Sequence, residues 1–179
     1  AAKKHEVILL DGNERIGKKL FITGKGRCNV TNAKDISEFF EYIPGNPHFL
    51  YSSLYSFTNE DTMNFFEGEG IKLKVERGDR VFPESDKSSD IIRGLSNALS
   101  RTHVQIRLNS KVTDVKFKDN KITALEINNS EILKGDYFIM ATGGASYPLT
   151  GSRGEGQKFA KKLGHNIVSL MPALVPIEV

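Results

Sequence analysis

The chain has 179 residues, long enough for one ordinary domain with a real core and short for two. Its 39% apolar and 26% charged residues exclude a disordered chain, and a formal charge of +3 permits phosphate-bearing partners without the concentrated basic stripe that marks nucleic-acid binders. One cysteine, no secretory leader and no apolar run near the roughly 20 residues that span a bilayer point to a cytoplasmic protein with neither membrane nor nucleic-acid partner.

The first residues, Ala1 to His5, read as a helix end that feeds a strand from Glu6 to Asp11. Val7-Ile8-Leu9-Leu10 is continuously apolar, as in a parallel strand buried on both faces. From Gly12 to Asn32 glycines alternate with Arg and Lys without periodicity, which predicts a loop. Helices are expected over about Phe49–Phe57 and from the Thr58 cap, with Asp61 three residues on, until Gly68 and Gly70 end the second. A hairpin follows around Arg77-Gly78-Asp79, stopped by Pro83. A third helix covers Asp86–Arg101, where the interior Gly94 implies a packing reason.

Val104 to Gly135 reads as strands in an antiparallel meander or crossover, with a turn at Asp119-Asn120. Phe138-Ile139-Met140 predicts a return to the parallel sheet, ending at Thr142-Gly143-Gly144, and a last helix spans Glu155–Leu163. A parallel strand, a long excursion, a three-stranded antiparallel element and another parallel strand ending in glycines form the layout of a two-dinucleotide-binding α/β domain.

Three stretches carry candidate chemistry. Asp11 ends the first strand, where an acid accepts hydrogen bonds from ribose hydroxyls in a dinucleotide fold; a strand-terminal Asp also serves as a cap or turn former. No GxGxxG precedes Asp11, so the first strand and its glycine loop are expected to be missing from the N-terminus. Gly17-Lys18-Lys19 and Gly24-Lys25-Gly26-Arg27-Cys28-Asn29 combine turning glycines, cations and hydrogen-bonding groups, which suit a pyrophosphate or the polar edge of an isoalloxazine, or else a solvated turn-rich loop. The four scattered histidines lie at no metal-ligand spacing from Cys28, so no metal site is expected.

The run Arg15 to Leu20 with Thr23 to Asn32 resembles the signature of a bacterial family of NAD(P)/FAD-dependent oxidoreductases, the aminoacetone oxidase family of FAD-binding flavoproteins. Three further stretches are similar in the same order: Arg80-Val81-Phe82-Pro83 with Ser85 to Asp90, Ala141 to Pro148 with Thr150 to Gly156, and Lys162 to His165 with Pro172 to Pro176. The resemblance runs nearly end to end. It implies an FAD/NAD(P)-binding, Rossmann-like α/β domain of the glutathione-reductase-like type with an antiparallel meander, here an internal fragment. Residues 1–170 would be a partial FAD-binding domain, and 171–179 the start of a connection to an absent substrate-side domain.

By the same resemblance Asp11 takes the ribose. Arg15, Lys18 and Lys19 lie near adenosine and phosphate, and Thr23, Gly24, Gly26, Arg27, Cys28 and Asn29 near the flavin. Val112 offers backbone hydrogen bonds to adenine, and Ala141, Thr142 and Gly143 pass close to the cofactor. Cys28 is either a thiol facing the flavin or a small buried residue under the loop; without a second cysteine, packing is the favoured reading. No catalytic acid or base is named by the sequence. The expected activity of the parent is hydride transfer through FAD between NAD(P)H or a small organic substrate and an acceptor. A non-catalytic nucleotide-binding or assembly module is the alternative, and a flavin-linked RNA-modifying enzyme stands behind it. Loss of the first strand leaves a sheet edge open to self-association.

Overall fold

The computed structural model of the chain describes residue 2 and residues 4–171, so the expected connection at 171–179 lies, except for Met171, outside the described residues. Two compact units part between Asn109 and Ser110. In the first, β1 (Val7–Leu10), α1 (Lys18–Ile22), β2 (Thr31–Asn32), α2 (Tyr51–Ser56), α3 (Asn59–Gly68), β3 (Leu73–Glu76), β4 (Arg80–Pro83), α4 (Ser88–Ser100) and β5 (Val104–Arg107) follow one another. In the second come β6 (Val112–Lys118), β7 (Lys121–Ile127), β8 (Glu131–Lys134) and α5 (Glu155–Lys162).

The apolar run at the start does form a parallel strand. β1 pairs with β5 from Val7↔Val104 to Leu10↔Arg107, and Asp11 N continues the ladder by donating to Arg107 O at 3.0 Å. This corrects the reading of Val104–Leu108 as part of the meander. Alternation alone does not distinguish a strand that pairs forward from one that crosses back to a parallel partner. A second sheet has the order β2-β4-β3, with the expected hairpin closed at Gly78 and Asp79, both in left-handed backbone.

Helix α3 starts where its cap predicts. Thr58 Oγ1 accepts from Asp61 N at 3.1 Å and Asp61 Oδ2 accepts from Thr58 N at 2.8 Å, so two otherwise orphaned N–H groups are satisfied reciprocally. Gly94 in α4 has its packing reason: a Cβ there would stand 3.2 Å from Ile71 Cγ1. Close approach of α4 to the end of α3 completes a core of Cys28, Phe66, Ile71 and Ile91, flanked by Leu20, Val30, Phe65, Leu73 and Leu95.

Three local expectations change. Residues 12–32 are not all loop, since Lys18–Ile22 makes a short helix and Thr23–Gly26 a 3-10 turn. The helix expected over 49–57 divides into a 3-10 turn at Pro47–Leu50 and α2, and a 3-10 helix at Ile36–Tyr42 has no apolar period to announce it.

The third change lies in the second unit, an antiparallel β6-β7-β8 meander followed by α5. Val115, Ala124 and Ile127 of the sheet and Phe159 of α5 are its buried apolar residues. Residues 137–144 form no strand, and Tyr137 and Ile139 are 86% and 87% exposed. An apolar run becomes a strand only where a neighbouring edge takes its N–H and C=O groups, and among the described residues none does. Among the described residues no helix is long and apolar enough to cross a membrane.

Candidate functional site

The candidate residues fall into two groups, one in each unit. In the first, the parallel ladder delivers Asp11 to the carboxyl end of β1. Asn13 N and Asn13 Nδ2 both donate to Asp11 Oδ1, each at 2.9 Å, so one carboxylate oxygen closes an Asx turn. Asp11 Oδ2 has no hydrogen-bond partner among the described residues. The cap-or-turn role and the ribose role weighed for this residue are thus compatible: each uses a different oxygen.

The cations beyond it are arranged around α1. Arg15 lies over the Phe21 ring at 5.2 Å, while Lys18 pairs with Glu14 at 3.3 Å and Lys19 follows it in the helix.

Residues 23–29 are the most constrained segment. Thr23 Oγ1 donates to Leu20 O at 2.7 Å, tying the turn to the end of α1, and Cys28 N donates to Thr23 O at 3.0 Å. Gly24, Lys25, Gly26 and Cys28 all have positive φ. At Gly24 the requirement is double: φ is +55°, and a Cβ would stand 2.8 Å from Asn29 N and 3.1 Å from Phe82 Cε1. Lys25 and Cys28 adopt the same region with side chains, at a cost of order 1 kcal/mol each that the surrounding contacts must offset.

Arg27 and Cys28 are both held by protein neighbours. Arg27 Nη1 donates to Glu76 Oε1 and Oε2 at 2.9 and 3.1 Å and to Asp86 Oδ1 at 3.2 Å, with the guanidinium 4.1 Å from the Phe82 ring centroid. Lys74 Nζ joins by donating to Asp86 Oδ2 at 2.6 Å and lies 3.4 Å from Glu76 Oε1. The hydrogen bonds that Arg27 donates to Glu76 and then to Asp86 hold its charge in place and push its pKa above the ordinary value.

Cys28 is only 2% exposed within the apolar core, and burial pushes its thiol up. Packing, the favoured reading of this residue, describes its surroundings. With its amide oriented to satisfy its neighbours, Asn29 Nδ2 donates to Thr31 O at 2.9 Å and Val81 O at 3.2 Å, holding the loop to β4.

In the second unit Val112 opens β6 opposite Ile127, beside an irregularity that leaves Thr113 outside the regular ladder. Ala141, Thr142 and Gly143 lead toward the start of α5, where Gly154 N donates to Gly144 O at 3.2 Å. A Cβ on Gly156 would meet Thr142 Oγ1 at 2.5 Å, so glycine lets this segment lie close against the first turn of α5. Ser152, buried beside Gly143, also belongs to this cradle.

Sequence reasoning named Asp86, Ser152 and the Gly154-Glu155-Gly156 stretch without a role, and it missed Lys74 and Glu76. Glu76 and Asp86 flank the hairpin in sequence, but nothing in their spacing points to a guanidinium 49 residues earlier in the chain. Among the described residues, no group of three or more His, Cys, Asp or Glu side chains is gathered to hold a metal. Two shallow surface depressions, of about 310 and 500 Å³, lie between Gly70–Lys74 and Glu84, and no residue selected from the sequence lines either.

An acid at the end of a parallel strand, a strained glycine turn and a glycine-lined helix start agree with a dinucleotide-binding α/β domain. Residues 1–172 match the family described as the HI0933-like protein Rossmann domain. The chain belongs to that family.

Other members give context to this HI0933-like domain. It is similar to a 3-dehydro-bile acid delta(4,6)-reductase of Clostridium scindens, with 33% identity over 175 residues, 97% of this chain and 41% of the relative. It is also similar to two proteins named ribosomal RNA dihydrouridine synthase. The Escherichia coli protein is 32% identical over 170 residues, 95% of this chain and 41% of that protein. The Haemophilus influenzae protein is 28% identical over 172 residues, 95% and 42% of the respective lengths. The chain therefore spans about two fifths of the length of the curated relatives it matches. Its fold is the Rossmann-like α/β fold expected from the sequence.

Proposed function

We propose that this HI0933-like domain is the FAD-holding part of a reductase that adds hydrogen across a carbon–carbon double bond of its substrate. The observation that carries the reading is the 33% identity, over 97% of the chain, to a protein named a reductase. The other relatives are named for making dihydrouridine, which is a reduced pyrimidine, so both printed activities end in a more reduced ring.

The residues fit a dinucleotide. Asp11 Oδ2 has no partner among the described residues and is available to a ribose hydroxyl, while Oδ1 holds the turn in place. Arg15, Lys18 and Lys19 supply positive charge near phosphate oxygens. The loop from Thr23 to Asn29 presents backbone in a shape that only glycine permits at Gly24. FAD, when bound, would supply the redox chemistry, and these residues would bind and orient it. Cys28 serves packing in this assignment, and Arg27 serves the loop.

The test is retention of flavin. The purified chain is mixed with excess FAD, desalted, and its absorption recorded at about 450 nm, where flavins absorb. A retained band is expected, together with its loss in Asp11→Ala. A chain that keeps its fold but retains no flavin would favour the nucleotide-independent assembly module.

A second reading, that the parent acts on ribosomal RNA rather than on a small molecule, is favoured by the names of two relatives. Retention of RNA that falls steeply between low and physiological salt would support it. Salt-independent failure to bind RNA, with flavin retained, would support the small-molecule substrate.

A further inference from the structure

Resting on the FAD reading above, we infer that Glu76, Asp86 and Lys74 are positioning residues: they fix the Thr23–Asn29 loop in its cofactor-binding shape through Arg27, which itself is not an anion ligand. The loop carries four left-handed residues within five positions, a conformation that a free chain of this sequence would leave. Something must hold it from both sides.

On the core side the Cys28 side chain is sunk among Phe66, Ile71 and Ile91. On the other side the holder is the β3–β4 hairpin. Arg27 Nη1 reaches Glu76 at the end of β3 at 2.9 and 3.1 Å, and Asp86 in the turn after β4 at 3.2 Å. Phe82 lies under its guanidinium at 4.1 Å and also packs 3.1 Å from the place a Cβ on Gly24 would occupy. Lys74 bridges the two carboxylates at 2.6 and 3.4 Å, so neither can turn away to another cation.

The charges explain why this is a latch and not a binding pocket. Arg27 and Lys74 against Glu76 and Asp86 sum to zero, so the guanidinium offers no net attraction to a phosphate. Each of the four side chains is between 29% and 43% exposed. Ion pairs so exposed add little to global stability, so their effect is local: they select one conformation of the Thr23–Asn29 turn.

The experiment is a double-mutant cycle on the full chain, with FAD as the probe and binding followed by flavin fluorescence. Glu76→Gln and Asp86→Asn are each expected to weaken FAD about tenfold while melting temperature and far-ultraviolet circular dichroism stay near wild type. Arg27→Met is expected to weaken it similarly, and Arg27→Met with Glu76→Gln no more than Arg27→Met alone, because the carboxylate acts only through the guanidinium. The conservative Glu76→Asp is expected to recover part of the affinity.

Amide exchange of residues 24–29, measured without FAD, is expected to speed up in Glu76→Gln and stay unchanged in distant α4. Additive losses in the cycle, or unchanged FAD affinity in both carboxylate variants, would overturn the latch while leaving the FAD reading intact. A wild-type chain that binds no FAD would instead overturn that reading, and the positioning role with it.

Discussion

At the scale of single residues, the loop between α1 and β2 shows how little freedom some positions have. Gly24→Ala places a methyl 2.8 Å from a backbone nitrogen at a φ of +55°, so it is expected to destabilise the chain by about 1–3 kcal/mol, read as a lower denaturant midpoint. The same change at Gly26 meets nothing within 4 Å and costs only the strain of its positive φ, so its loss is expected to be the smaller of the two. Cys28 carries a second expectation. Burial raises its thiol above the ordinary 9.0, so an unfolded chain gives up this proton first as pH rises. Its contribution to stability is complete below pH 9 and is lost as pH climbs toward the raised folded value, a slope that Cys28→Ala is expected to remove. Alkylation of the native thiol is expected to be about 100-fold slower than in denaturant. Cysteine burial was legible because no second thiol offered a redox role, but the ion pairs of Arg27 were not. Its partners lie 49 and 59 residues away, and only the tertiary fold brings them together.

At the scale of elements, the readable parts were those with their own signal. The Thr58 cap, the Gly78-Asp79 turn and the apolar face of α4 each encode a local structure, and each formed. The 3-10 segments at 36–42 and 47–50 have no such code. The run at 137–141 has strand composition without a strand partner, and composition alone does not supply the partner's N–H and C=O groups. In the second unit Lys162 ties α5 to the meander: its Nζ pairs with Asp114 and donates to Val115 O at 3.2 Å. Lys162 first, and then Lys116, hold the Asp114 carboxyl down at about 2, against an ordinary 3.8. Its contribution is therefore present above pH 3.8 and is lost as pH falls from there through about 2. Thermal melts between pH 5 and 2 are expected to show a steeper loss for the wild type than for Asp114→Asn; parallel curves would deny the contact any part in stability.

At the scale of the whole molecule, the parallel sheet is the open question that the sequence raised. Among the described residues it has two strands only. Because Asp11 N–H points to β5, Leu9 and Val7 point there too, and the N–H groups of Leu10 and Ile8 face the other edge. No strand among the described residues covers that edge. The chain is expected to associate with increasing concentration, and Leu10→Pro, which removes an outward N–H without breaking a bond to β5, is expected to reduce it. Sedimentation velocity over a tenfold concentration range reads both. A wild type that stays monomeric throughout would show that the edge is protected. The Rossmann-like class was legible at this scale because four separated motifs kept their order along the chain. The division between Asn109 and Ser110 was not, since no shift in composition marks it.

The stacked rings of the 36–57 segment give the protein an optical property of its own. Phe40 lies 4.4 Å from Tyr51, and Tyr51 lies 5.0 Å from Tyr55, in a chain with five tyrosines and no tryptophan. Intrinsic emission is therefore tyrosine emission, and the neighbouring phenols couple as an exciton pair in the near-ultraviolet. Recorded before FAD is added, since flavins also absorb in the near-ultraviolet, that couplet reports the packing of one surface segment without a label. It gives each variant above an internal control for whether distant structure has changed.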